Sequence, residues 1–136
     1  MIRSKFCFAA EGIIRDAESN SISIFNILEG INSEGFPIFI QRIAFIALWE
    51  RDPQDVEQPS GTFKLTINDH PLVELGVRVE FADKLSHRNI VYLNGLMVPK
   101  PGTLRFHISL ETGAQTEYLV EVTASQPASA RTALDG

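Results

Sequence analysis

The residues best suited to chemistry are three histidines and one cysteine, and they are scattered along the chain. His70 lies in a turn-like segment, His87 in a polar segment, His107 on the polar side of an alternating run, and Cys7 inside an apolar run. No His-x-His or Cys-x-x-Cys spacing occurs, whereas zinc needs about four converging N, S or O ligands. A catalytic cysteine needs a nearby histidine or a helix N-terminus to lower its pKa. We therefore predict surface histidines, a core cysteine, and no catalytic, cofactor-binding or metal-ligating residue.

Acidic side chains suggest a first alternative, a ligand-binding module. The segment that begins at Arg51 and ends at Ser60 carries Asp52, Asp55 and Glu57 without apolar rhythm. Together with residues 83–89, it could form loops at one end of the domain that hold Ca²⁺ or a small polar ligand, because calcium takes six to eight oxygen ligands. The acidic spacing is not that of an EF-hand loop. The preferred interpretation is a long, exposed, solvated loop.

Glu11 suggests a second alternative, a hydrolase. Glycoside hydrolysis uses two carboxylates, and Glu11 lies inside an apolar run. The sequence singles out no second acid, and Glu11 could equally face solvent or pair with Arg15 or Arg42. No glycine-rich phosphate loop and no Gly-x-Ser-x-Gly motif is present. The hydrolase therefore ranks lowest among the hypotheses.

The elements that must position these residues follow a period of two. Alternating or apolar runs separated by turn residues predict strands and no helix. About eight strands are expected, at residues 6–14, 22–27, 38–50, 61–68, 72–81, 89–98, 103–111 and 116–124. Gly95 suggests a bend in the sixth of them. This pattern predicts an all-β fold, an antiparallel two-sheet β-sandwich.

The run from Ile38 to Trp49 differs from the others because bulky apolar residues occupy both parities. Ile40 and Ile46 oppose Ile43 and Phe45. A strand buried on both faces would have this pattern, and so would a strand whose outer face meets a partner chain. A helix that starts at Pro37 is the rival interpretation. The many isoleucines and aromatic residues favour the strand.

Length, charge and composition exclude several classes of protein. The 136 residues fit one domain, here residues 1–124, and the Ala-, Ser- and Pro-containing segment 125–136 is predicted to be a disordered tail. Twelve basic and 17 acidic residues give a net charge of −5, and no basic cluster suits a nucleic acid. No apolar stretch approaches a membrane span or a signal-peptide core. A single cysteine mildly favours a reducing compartment.

A set of short landmarks resembles an uncharacterised bacterial family of small single-domain β-proteins, known only as a domain of unknown function. The landmarks are Ala10-Glu11-Gly12, Arg15-Asp16, Ile24-Phe25-Asn26, Gly35-Phe36-Pro37, Asn94-Gly95-Leu96 and Pro101-Gly102-Thr103-Leu104-Arg105-Phe106. The resemblance covers nearly the whole chain up to Ser125. It implies a cytoplasmic bacterial protein with a β-sandwich-like fold, and it supplies no catalytic residue.

These observations together predict a non-catalytic protein-interaction or structural module. A protein partner, or a second copy in a homodimer, is expected to bind through the strand from Ile38 to Trp49. No nucleic acid, membrane or cofactor is expected, and the expected location is the cytoplasm.

Overall fold

The computed structural model describes residues 1–125, which form nine β-strands. The strands are β1 (Arg3–Arg15), β2 (Ile22–Ile27), β3 (Gly30–Ser33), β4 (Ile38–Glu50), β5 (Ser60–Ile67), β6 (His70–Arg78), β7 (Ser86–Val98), β8 (Gly102–Leu110) and β9 (Gln115–Ala124). Alternation of apolar and polar residues places one side of each strand toward a core. Each expected strand segment contains a strand, although the one predicted at residues 72–81 ends at Arg78, and no described residue is helical.

The strands form two sheets that pack face to face. One sheet has the order β2-β1-β4-β7, and the other has the order β3-β9-β8-β5-β6. Between them, the ring of Phe45 stacks on Phe106 and lies tilted against Phe63, each with a centroid separation of 5.6 Å. Trp49 and Phe81 complete the set of large buried rings. The predicted all-β two-sheet sandwich is confirmed.

Strand β3 was not predicted, and it forms the parallel pairing in an otherwise antiparallel pattern. Gly30 pairs with Glu121 and Ser33 with Ala124. The strand has four residues, and Ile31 is its large apolar residue. A segment this short has too little alternation to be recognised as a strand from the sequence. Its position also depends on pairing with β9, some ninety residues away.

The mixed apolar pattern of β4 has two separate causes, and the first is an inversion of its faces. Ile40 packs against the core near the start of the strand, whereas Ile43 and Phe45 do so farther along. The parity changes around Gln41, where the neighbouring strand β7 contains Gly95 with φ of +90°. The expected bend at Gly95 therefore realigns both strands, and the helix alternative is wrong.

The second cause is burial of the outer face of β4 by another part of the same chain. Ala10, Ala44 and Ile46 are fully buried although they do not belong to the core between the sheets. At the tip of the β1–β2 hairpin, Arg88 Nη2 donates a hydrogen bond to the backbone oxygen of Asn20 at 2.6 Å. Arg88 lies on the outer face of β7 by strand parity. The hairpin therefore crosses the outside of the four-stranded sheet and covers β4.

The predicted tail falls almost entirely on residues 126–136, which lie outside the described residues. Ser125 is the exception, and its amide donates to Ser33 O at 2.9 Å, which continues the β3–β9 pairing by one residue. The part of the chain that the structure describes contains no helix able to cross a membrane.

Candidate functional site

The candidate site arises where β1 separates from β4. The pairing of these two strands runs from Arg3↔Glu50 to Ala10↔Ala44 and stops there. Beyond Ala10, β1 pairs with β2 alone, while β4 continues to pair with β7 as far as Ile38↔Val98. Strand β1 separates from β4 at Ala10 because the β1–β2 hairpin turns over the outer face of the sheet. Among residues 1–125, no strand therefore pairs with the first part of β4 on this side, and the space beside it is open.

This open space is a groove of about 560 Å³, which we call the β4 groove. Its lining consists of Glu11, residues 26–30 and residues 39–42. One wall is therefore the start of β4, and the other is formed by the end of β2, its connection to β3 and Gly30. Glu11 and Glu29 bring negative charge to the groove, and Arg42 brings positive charge.

Local geometry fixes the Glu11 end of the β4 groove. Asn26 has a positive φ of 56°, a conformation that asparagine tolerates better than most residues, and its Nδ2 donates to Glu11 Oε2 at 2.6 Å. The neighbouring pair is Gly12 and Phe25, which face each other across β1 and β2. A Cβ at Gly12 would come within 2.3 Å of the Phe25 ring. Glycine at this position lets the Phe25 ring pack directly against the backbone of β1.

The mouth of the groove is apolar. Phe39 is 64% exposed, and its cross-strand neighbour Met97 is 52% exposed. The Phe39 ring lies over Gly95, where an added Cβ would be 3.3 Å from it. Ile27 on the facing wall is also exposed. Exposed apolar side chains are informative when they lie together, and Phe39, Met97 and Ile27 all lie around this groove.

Comparison with known families agrees with the resemblance inferred from the landmarks. Residues 5–123 match the profile of DUF6941, a family of unknown function. The chain belongs to the DUF6941 family. A search of curated proteins finds no match to it. In this DUF6941 chain, the landmarks containing Glu11 and Asn26 meet at the β4 groove, and Gly95 of a third landmark lies beneath the Phe39 ring.

The acidic loop of the DUF6941 chain is organised around an arginine side chain. Arg51 was expected on an exposed loop, and this is wrong, because its side chain is only 5% exposed. Its guanidinium donates to five backbone oxygens at 2.9 to 3.4 Å, those of Asp52, Pro53, Asp55, Ala82 and Lys84. It also lies 5.5 Å above the centre of the Phe81 ring. Loops 51–60 and 79–85 therefore do come together, with a cation of the protein itself at their junction.

The carboxylates of that loop face a second positive group. The ammonium of Met1 bonds to Asp52, and it lies 2.8 Å from Asp55 Oδ2. The hydrogen bond from this ammonium to each carboxyl group holds the pKa of both Asp52 and Asp55 below the usual range. Residues 1–125 contain no cluster of three or more acidic, histidine or cysteine side chains placed to hold a metal ion.

The remaining sequence-predicted residues lie apart from one another. Cys7 is half-buried against the core, where its thiol donates to Glu117 O at 3.2 Å, and burial raises the pKa of that thiol. His70 is exposed at the start of β6. His107 bonds to Gln115 Oε1 at 2.8 Å on the outside of β8. In the described residues none of the histidines is hydrogen-bonded to the cysteine or to a serine.

His87 is half-buried, and it gives a prediction for the pH dependence of stability. Burial lowers its pKa; Arg88 also lowers it, and Glu80 opposes this. As pH falls through about 6.5, the unfolded chain therefore binds more protons at His87 than the folded chain does. We expect the free energy of unfolding to fall with pH in this range, and to fall less steeply in His87→Gln.

Urea unfolding between about pH 7.5 and pH 5.5 measures this slope. His70→Gln is the matched control, because His70 is an exposed histidine on strand β6 of the other sheet. Equal slopes for the wild type and His87→Gln would contradict the assignment.

Proposed function

We propose that this chain is a non-catalytic protein-interaction module that works in the cytoplasm of a bacterial cell. Its contact surface would be the outside of the four-stranded sheet around Phe39. The single observation that carries the proposal is the exposure of Phe39 beside the β4 groove. Single exposed apolar residues are common on protein surfaces, so the argument depends on how such residues are distributed.

That distribution favours one sheet. Among the described residues, six of the eleven exposed large hydrophobic residues belong to the four-stranded sheet. They are Ile14, Phe25, Ile27, Phe39, Tyr92 and Met97. The five-stranded sheet exposes Leu75 and Leu119 and otherwise carries charged and polar pairs, such as Arg105 with Glu117 at 2.6 Å. An apolar outer surface on one sheet alone is typical of a docking face.

Burial of β4 narrows where a partner would bind. Trp49 and residues 43–47 are buried within the chain itself, so they would not be available to a second copy or to another protein. The expected interface between Ile38 and Trp49 is thereby reduced to the Phe39 end. Self-association remains one form of the proposal, with Phe39 and Met97 at its centre.

The chemistry of the groove favours binding over hydrolysis. Glu11 and Glu29 both line it, which is what a pair of catalytic acids would require. A carboxyl group that acts as general acid is held in apolar surroundings, whereas Glu11 is exposed and accepts a hydrogen bond from Asn26. A net charge of −5 likewise disfavours binding to nucleic acid.

Site-specific photo-crosslinking tests the proposal. A photoreactive phenylalanine analogue replaces Phe39 in one variant and Leu119 in the other, since both side chains are exposed but on opposite sheets. We expect position 39 to give one discrete protein adduct in the native host cell, and position 119 to give none. If the adduct is a dimer of this chain, sedimentation velocity should show that Phe39→Asp abolishes it. No adduct at 39, or the same adducts at both positions, would overturn the proposal.

A further inference from the structure

The edge of β4 that faces the β4 groove is left without backbone partners. Residues 38–43 pair with β7 on one side. On the other side the pairing with β1 ends at Ala44, and no further backbone hydrogen bond to residues 38–43 is found within residues 1–125. An unpaired strand edge is a template for another strand, so proteins usually cover or interrupt such edges. Here the edge lies in the middle of a sheet rather than at its margin.

The lining of the groove indicates that this edge is accessible. Side chains of successive strand residues point to opposite faces of a sheet. Phe39, Ile40, Gln41 and Arg42 are consecutive, and all four line the groove. A groove lined by four consecutive strand residues borders the edge of the strand. The groove therefore exposes main-chain donors and acceptors along about 13 Å of β4.

The shape of the groove favours a single extended segment over the edge of a whole second sheet. Its far wall, residues 26–30, consists of the end of β2, the two-residue connection and the first residue of β3. This wall blocks the approach of a second sheet, as would occur in edge-to-edge dimerisation. A single strand can enter the space beside β4 that lies beyond Ala10, where β1 no longer pairs with β4.

We infer that an extended segment of a partner protein binds in the β4 groove as an added strand beside residues 39–42. This inference rests on the proposed interaction function and specifies how that interaction would occur. Main-chain hydrogen bonds would supply affinity, and pockets for alternate side chains would supply specificity. The apolar side chains of Phe39 and Ile27 suit an apolar residue of the segment. Glu11 and Glu29 outnumber Arg42, which favours a segment that also carries a lysine or arginine.

The test uses random dodecapeptides displayed on phage and selected against the full chain. We expect enriched peptides with alternating apolar residues and at least one basic residue. When the peptide binds, amides among residues 39–42 that exchange quickly in the free protein should become protected in hydrogen-exchange NMR. Methylation of alternate peptide nitrogens removes several main-chain donors and should weaken binding about tenfold or more.

Matched substitutions on the protein complete the test. Ile27→Trp fills the groove from its far wall and should abolish peptide binding, whereas Leu119→Trp on the other sheet should leave it unchanged. Failure to enrich any peptide, or binding that leaves the amides of residues 39–42 unprotected, would overturn strand addition. Either result is distinguishable from failure of the interaction function itself, because crosslinking at position 39 does not depend on how the partner binds.

Discussion

Replacement of Arg51 by methionine is expected to destabilise the domain by about 3 to 5 kcal/mol, the cost of leaving several buried carbonyl oxygens without a donor. The guanidinium donates to backbone oxygens of both loops at this end of the sandwich. Methionine fills similar volume without any donor, so those oxygens would lose their partners in a site almost closed to water. The backbone bond from Arg51 N to Leu85 O would remain.

Arg51→Lys separates the charge from the geometry of the guanidinium. Lysine keeps the positive charge but has three donors on one nitrogen, whereas the planar guanidinium presents five donors in a fixed array. We expect Arg51→Lys to lie between the wild type and Arg51→Met. Urea denaturation followed by tryptophan fluorescence measures all three free energies of unfolding, because the single tryptophan, Trp49, is fully buried.

Arg78→Met is the control for these variants. Arg78 is an exposed arginine at the end of β6, so loss of its charge is expected to change stability by less than about 0.5 kcal/mol. If Arg51→Met lost no more stability than Arg78→Met, the guanidinium would not be what holds the two loops together.

Arg51 also shows where inference from sequence fails. A charged residue next to Asp52 and Pro53 has the composition of a solvated loop, and the expectation of an exposed segment followed from that. Its burial depends on carbonyl oxygens of a second loop, thirty residues away, which point to one position in space. No local pattern encodes such a convergence.

The fold was more predictable than the site because strand alternation is a local property. Runs such as residues 61–67 reveal their buried face directly, since Phe63, Leu65 and Ile67 are all fully buried. The β4 groove has no such signal. The groove exists because β1 pairs with β4 only as far as Ala10 and then turns over it. The apolar residues on both parities of β4 are the only sequence feature that indicated additional burial of this strand. The sequence interpretation left open whether this face is buried within the chain or meets a partner chain.

A second large effect is expected in the five-stranded sheet, where Gly61 allows close contact between β5 and β8. A Cβ at this position would lie 2.3 Å from Ser109 O and 2.9 Å from Leu110 Cα. Both atoms belong to the backbone of a paired strand, so neither can move aside by a change of rotamer. We expect Gly61→Ala to destabilise the domain by about 2 to 3 kcal/mol, the usual upper range for overpacking.

Gly76→Ala provides the same chemical change in open space. Gly76 lies on the adjacent strand β6, opposite Thr62, and an added Cβ would meet no atom within 4 Å. Alanine restricts the unfolded chain, so this variant should be neutral or more stable by about 0.4 to 1 kcal/mol. Urea denaturation of both variants gives the comparison. The expected difference has a definite sign, and similar stabilities for Gly61→Ala and Gly76→Ala would mean that β5 and β8 can separate at little cost. That outcome would contradict the close contact of β5 with β8 as a constraint on position 61.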